Sequence, residues 1–245
     1  MRSFFTEPEN IYENKIVITE DASHIKNVLR MNEGDEILVF DGTGKEYKAE
    51  ISLVGSSEVV CKILEESFCA SEPQVKVTLF QGIPKSDKME QIIQKSTELG
   101  IFDIVPVKMD RCVAKPQKIA EKLKGWNKIS REAAKQCGRG RVPRVLEPVD
   151  FCRAVSKMLE KDFSVMPYEA LGHMGERVLK QILKAHRGNT NIGIIIGPEG
   201  GFSDSEAEYA KNSGIIQVGL GKRILRTETA GSAILSVVMY EYDEI

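Results

Sequence analysis

Ile194-Ile-Ile-Gly-Pro-Glu-Gly-Gly-Phe-Ser203 decides how this chain is read. The apolar run Ile192–Ile196 has no polar alternation, which fits a central parallel strand covered on both faces. Ser203 and Glu206 have the spacing of a capping box, so a helix is expected over Ser203–Asn212, with Gly214 ending it. Between strand and helix lies a glycine-rich turn stiffened by Pro198. In open α/β sheets, ligands bind at the carboxyl ends of the strands, which is where this turn falls. It is neither a dinucleotide fingerprint nor a P-loop, and on its glycines alone an ordinary tight turn fits equally well.

A second turn, Val218-Gly-Leu-Gly-Lys-Arg-Ile-Leu-Arg-Thr-Glu-Thr-Ala230, shifts that balance. It follows a short strand, Ile215–Val218, and leads into a last helix, Thr229–Tyr242, with Ala233, Ile234, Val237 and Val238 inward. Ile224 and Leu225 sit between charged residues on a loop, as the lining of a pocket or interface does. Thr227 and Thr229 suit the cap of the helix, and Glu228 its positive end. A plainer role for Arg226 and Glu228 is a salt bridge fixing the loop. The two turns are expected at the ends of neighbouring parallel strands, sharing one pocket.

Upstream the α/β texture begins at Gln74. Val75–Gln81 reads as a strand, Lys88–Leu99 as a helix stopped by Gly100, Ile101–Val107 as a strand, and Gln117–Gln136 as a long helix with Ile119, Leu123, Trp126 and Ala133 inward. Alternating strands and helices imply a mostly parallel sheet. The first 72 residues differ. Lys15–Thr19, Glu36–Phe40, Tyr47–Val54 and Val59–Leu64 read as strands, Asp41–Gly44 as a turn, and Asp21–Arg30 as a short helix capped by Asp21. A small β-barrel over 1–72 and an α/β domain over 73–245 are expected, divided at the polar stretch Glu65–Pro73.

The formal net charge of -2 hides an asymmetry. Residues 1–72 carry 7 Lys/Arg against 15 Asp/Glu, a net of -8, whereas residues 85–144 carry 15 against 7, a net of +8. Such a basic excess could meet phosphates, though Lys118, Lys122, Lys124 and Lys128 also suit a solvated helix face. Lys85, Lys88, Arg111, Arg139 and Arg141 flank turns and are the better candidates for phosphate contact. Five scattered cysteines without a CxxC pair, and histidines 24, 173 and 186 far apart, fit reduced thiols and no metal site. No apolar run reaches the ~20 residues of a membrane span, and no secretory leader is evident, so a cytoplasmic protein is expected.

Ile196-Gly-Pro-Glu-Gly-Gly-Phe-Ser together with Leu220-Gly-Lys-Arg-Ile-Leu-Arg-Thr-Glu-Thr-Ala resembles the SPOUT methyltransferases, and among them the ribosomal RNA small subunit methyltransferase E family. Phe4-Phe5 after Arg2, His24–Arg30, Lys85-Ser-Asp-Lys-Met-Glu90, Lys95–Gly100 and Glu132–Arg139 match that family's pattern in order. Ser86 stands where glycine is common and Cys112 where serine is usual. The resemblance implies a PUA-like barrel, then a SPOUT domain with a C-terminal trefoil knot, and a homodimer. It implies S-adenosylmethionine as cofactor, held by Ile196, Gly197, Pro198, Glu199, Gly200, Gly201, Leu220, Gly221, Ile224, Leu225, Arg226, Thr229 and Ala230, with Pro167-Tyr-Glu-Ala-Leu171, and in it Glu169, Ala170 and Leu171, as a further wall.

The implied reaction is methylation of N3 of a uridine in 16S ribosomal RNA, within the small subunit, without metal. Uracil N3 carries a proton that must leave. Arg226 is the candidate to stabilise the anion, and Glu228 a candidate base, although the positive end of a helix favours the ionised carboxylate and so weakens it as one. RNA contact is expected from Lys85, Lys88, Arg111, Arg139 and Arg141, with Arg2 and Arg30 on the acidic barrel. Two alternatives stand beside this reading: a SPOUT enzyme acting on another RNA, and a non-catalytic ribosome-binding module.

Overall fold

The computed structural model describes residues 1–113, 119–171 and 178–245. The described chain forms two units, 1–72 with 131–142, and 73–130 with 143–245.

The first unit is a five-stranded sheet of β1 (Arg2–Phe5), β2 (Lys15–Ile18), β3 (Glu36–Phe40), β4 (Lys45–Val54) and β5 (Val59–Phe68), in the order β1-β3-β4-β5-β2. Alternation along the strands puts Ile16, Ile18, Ile37, Val39, Ala49, Ile51, Val59 and Cys61 into one core. The β4–β5 ladder shifts register between Lys48 and Ala49 and between Ile51 and Leu53, irregularities that bend paired strands. Two expectations need correction. Asp21–Arg30 is a single π-helical turn, His24–Val28, and Asp21 caps nothing with its side chain, which instead pairs with Lys135 at 3.3 Å. β1, which had no strand signal beyond its two phenylalanines, pairs parallel with β3.

The second unit is built on a parallel sheet. Its strands are β6 (Lys76–Gly82), β7 (Asp103–Lys108), β8 (Arg144–Val145), β9 (Val149–Asp150), β10 (Phe163–Pro167), β11 (Asn191–Ile196) and β12 (Ile216–Val218). The order is β12-β10-β11-β6-β7-β8, with β9 also on β7. Its helices are α1 (Lys88–Glu98), α2 (Ile119–Cys137), α3 (Phe151–Leu159), α4 (Val178–Ala185), α5 (Asp204–Asn212) and α6 (Thr227–Glu241). α2 passes into the first unit after Ser130; Gln117 and Lys118, expected at its start, lie outside the described residues, as does His173.

β11 is apolar throughout because it serves two cores. Ile192, Ile194 and Ile196 enter the core beneath α1 and α6, while Ile195 enters the opposite one with Phe151, Phe202 and Ala207. The capping box of α5 forms as expected, the Ser203 side chain accepting from Glu206 N–H and the Glu206 carboxylate from Ser203 N–H. α3 and α4 were not expected, although Asp150 caps α3, its carboxylate accepting from Arg153 N–H at 2.8 Å. The strand order corrects a further expectation: β10 lies between β11 and β12, so the two glycine-bearing turns leave strands that are not neighbours. Among the described residues no helix is long and apolar enough to cross a membrane.

Candidate active site

Three chain segments leave the carboxyl ends of β10, β11 and β12 and enclose one cavity of about 650 Å³. The first wall is Pro167–Ala170, the second Ile196–Phe202, and the third Leu220–Thr227 with Ala230. The intervening strand therefore supplies the middle wall. Tyr168 N–H donates to the Val218 carbonyl at 2.9 Å, and the Tyr168 ring meets the edge of Phe202 at 6.5 Å, which joins it to both others.

The second wall depends on Gly201. Its φ of 68° lies in the left-handed region, and a Cβ there would stand 2.6 Å from the Glu169 carboxylate. Gly201 N–H donates back to the Pro198 carbonyl at 2.9 Å, closing the turn. From outside, the Arg111 guanidinium donates to the Gly200 carbonyl at 3.1 Å. The third wall ends at α6, whose cap, Arg226, makes no capping bond. Thr227 is not the cap expected of it. Its hydroxyl donates to the Gly197 carbonyl at 2.6 Å and accepts from Gln81 Nε2 at 2.9 Å.

Charge gathers at the rim. Lys88 lies 3.1 Å from the Glu199 carboxylate and 3.5 Å from that of Glu228, and Lys85 N–H donates to Glu199 at 3.1 Å. The hydrogen bond that Lys88 donates to Glu199 raises the Lys88 pKa above its ordinary value. Burial acts to raise the Glu199 pKa, but bonds from its own backbone N–H, from Lys88 and from Lys85 outweigh it, so the result is lowered. Lys222, Arg223 and Arg226 are exposed and make no ion pair among the described residues.

Of the residues expected around a cofactor, Glu169, Ala170, Ile196–Gly201, Leu220, Gly221, Ile224, Leu225, Arg226 and Ala230 line this cavity. Leu171 and Thr229 do not; Thr229 is exposed one step further into α6. Glu228 does not line it either, and faces Lys88, which does. Lys85 and Arg111 are exposed. Arg2, Arg30, Arg139 and Arg141 belong to the first unit. Arg2 and Arg30 are exposed, but Arg139, expected to face RNA, is only 4% exposed and paired with Glu72 at 2.7 Å. Arg141 is half-buried, its backbone N–H also donating to Glu72.

Sequence reading left Phe202, Lys222 and Arg223 out of the lining, although all three lie inside the two turns it singled out, and it set Lys88 against RNA rather than against this cavity. Lys88 gave no cavity signal, because it comes from α1.

One chain thus carries a five-stranded β unit and a parallel α/β unit with a cavity across three strand ends, and the family models place it in a class of RNA-modifying enzymes. Residues 71–239 match the family model of an RNA methyltransferase domain, and residues 18–64 that of an RNA methyltransferase PUA domain. The chain belongs to the RNA methyltransferase family that includes the ribosomal RNA small subunit methyltransferase E proteins. It is 38% identical to the member from Bacillus subtilis (strain 168) over 225 residues, covering 91% of this chain and 88% of that protein. The structure is similar to that of the Neisseria gonorrhoeae ribosomal RNA small subunit methyltransferase E bound to S-adenosyl methionine, with TM-score 0.83, 31% identity, and 98% and 97% of the two chains covered. A putative methyltransferase from Legionella pneumophila, in complex with the same cofactor, gives TM-score 0.80 at 31% identity over 97% and 96%.

Proposed function

We propose that this RNA methyltransferase transfers a methyl group from S-adenosylmethionine to N3 of a uridine in 16S ribosomal RNA of the small subunit. The observation that carries the reading is the cavity: its volume lies in the range of small-molecule sites, and its walls are apolar side chains interleaved with close-approach glycine backbone. Such a lining suits a nucleoside with a short charged tail, and both cofactor-bound relatives support that occupant. When bound, the cofactor supplies an electrophilic methyl group on a sulfonium.

The chain's own residues supply position and charge. The three walls hold the donor against a fixed frame, so that a target base approaches in line. Arg226 lines the cavity without an ion-pair partner among the described residues, which leaves its guanidinium to stabilise negative charge on uracil O2 or O4 as N3 loses its proton. Glu228, with its Oε2 buried against Lys88, holds that lysine at the rim and does not itself take the proton. Lys85, Arg111, Lys222 and Arg223 meet RNA phosphates, with Arg2 and Arg30 on a separate recognition domain at residues 1–72. The cytoplasmic setting, the knot and the homodimer implied by the family resemblance belong to the same proposal. Tyr240, 72% exposed on α6, supports an apolar face for pairing.

Labelled cofactor with small subunits from a strain lacking the modification tests the reading. Label on N3 of one uridine is expected. Label on a ribose hydroxyl or on transfer RNA would replace the assigned reaction, and calorimetry showing no cofactor binding would leave a ribosome-binding module.

A further inference from the structure

Two walls of the cavity, Ile196–Phe202 and Leu220–Thr227, leave strands separated by β10, so something must set the distance between them. Two cross-links do so. One is ionic and at the rim: Lys88 between Glu199 and Glu228. The other is neutral and buried. Gln81 Nε2 donates to the Gly82 carbonyl and to Thr227 Oγ1, both at 2.9 Å, and Thr227 passes its one hydroxyl proton to the Gly197 carbonyl at 2.6 Å.

The direction of every bond in this relay is fixed by its donors. Turning the Gln81 amide over would set its oxygen against the Gly82 carbonyl, acceptor facing acceptor. In the observed orientation Gln81 Oε1 is buried with no hydrogen-bond partner, on a residue that is fully buried. A buried acceptor without a partner is a cost, and it is borne here because the other end of the amide is needed. Thr227 carries a comparable sign. Its hydroxyl, on the first residue of α6, reaches across to the opposite wall, and the α6 cap, Arg226, makes no side-chain bond that would compete for the helix end.

The carbonyl it grips belongs to the Gly197–Pro198 peptide, where the chain leaves the sheet. Holding that planar unit fixes the direction of exit, and the ring of Pro198 carries the direction onward. Gly82 lies against the same point, since a Cβ there would sit 2.6 Å from Pro198 N. We propose that Thr227, aimed by Gln81, is a positioning residue that locks the two cofactor-binding walls at their working separation before the cofactor arrives. The proposal rests on the functional reading above. Unlike the rim link, the relay is shielded from screening by salt.

Calorimetric cofactor affinity, steady-state kinetics on small subunits and melting temperature would be measured for the full chain, wild type, Thr227→Val, Thr227→Ser and Gln81→Leu. Thr227→Val is expected to weaken cofactor affinity and raise its KM about tenfold, with kcat at saturating cofactor within about twofold, the scale of one buried hydrogen bond. Thr227→Ser, which keeps the hydroxyl, restores affinity to near wild type. Gln81→Leu weakens cofactor binding in the same way but melts no lower than Thr227→Val, because it also removes the unpartnered oxygen. Normal affinity in Thr227→Val alongside a lowered melting temperature would make the relay merely structural and overturn the inference. So would a serine variant as weak as the valine one. Should Thr227→Val fail to fold, Gln81→Leu decides alone, normal affinity refuting the relay. Wild-type protein that binds no cofactor sinks the functional reading and this inference with it.

Discussion

The two units differ in what they do with their cations. In the first, Arg139 lies buried against Glu72, and Arg131 spans Glu7 and Glu20. In the second, Lys88 is held between Glu199 and Glu228, but Lys222, Arg223 and Arg226, which line the cavity, have no ion-pair partner among the described residues. Paired cations fix a body, and unpaired ones at a cavity mark where negative charge can be met.

The largest effect that would sharpen this contrast is on turnover. Arg226→Ala is expected to lower kcat by roughly a hundredfold, the scale of losing one donor to a developing anion, with cofactor affinity nearly unchanged. Single-turnover methylation of small subunits checks it, and full turnover would remove Arg226 from the chemistry. Next come the cores. Ile37→Ala in the first unit and Ile194→Ala in the second should each cost about 2–5 kcal/mol, since both side chains are fully buried. Native-state hydrogen exchange resolves where the loss falls; if Ile37→Ala loosens both units equally, they unfold as one body and the contrast fails.

Gly201→Ala should follow, weakening cofactor binding at least tenfold through left-handed strain and the Glu169 contact. Wild-type affinity in that variant, read by calorimetry, would put the cofactor elsewhere. Ser86→Gly should raise stability by under about 1 kcal/mol in urea titrations, because Ser86 has φ of 53°. A positive φ is one that glycine adopts without strain. The smallest effect is with pH. Glu199 has a lowered pKa, so its contribution is present above its ordinary 4.5 and lost as pH falls through the lowered value. Lys88 has a raised one, so its contribution is present below 10.5 and lost as pH climbs through the raised value. From these two groups, the stability of the cofactor-free protein should be flat between about pH 5 and 10, as read by melting temperature. A step near neutrality would mean that another group contributes.

Strands and helices with strong periodicity were legible in the sequence, as were the two glycine turns and the α5 capping box. These are local signals, written within a dozen residues. The sheet order was not. That β10 separates β11 from β12 is a fact about pairing over long sequence distance, and no local pattern carries it. Gln81 was missed, and Lys88 was set against RNA rather than against the cavity, for the same reason. Their partners are Glu199, Glu228 and Thr227, far along the chain, and nothing about an isolated lysine on a helix or a glutamine in a strand announces such company. Arg139 shows the converse, where a basic residue beside glycines looked outward in sequence and is turned inward by Glu72.

The order of the three walls also has a meaning in time. They are synthesised as Pro167–Ala170, then Ile196–Phe202, then Leu220–Ala230, and the relay that locks them begins on β6, more than a hundred residues before it can close on Thr227. Contacts so distant in sequence form late in folding. Every strand of the second sheet precedes the third wall along the chain, and the cavity has all its walls only once Leu220–Ala230 is made.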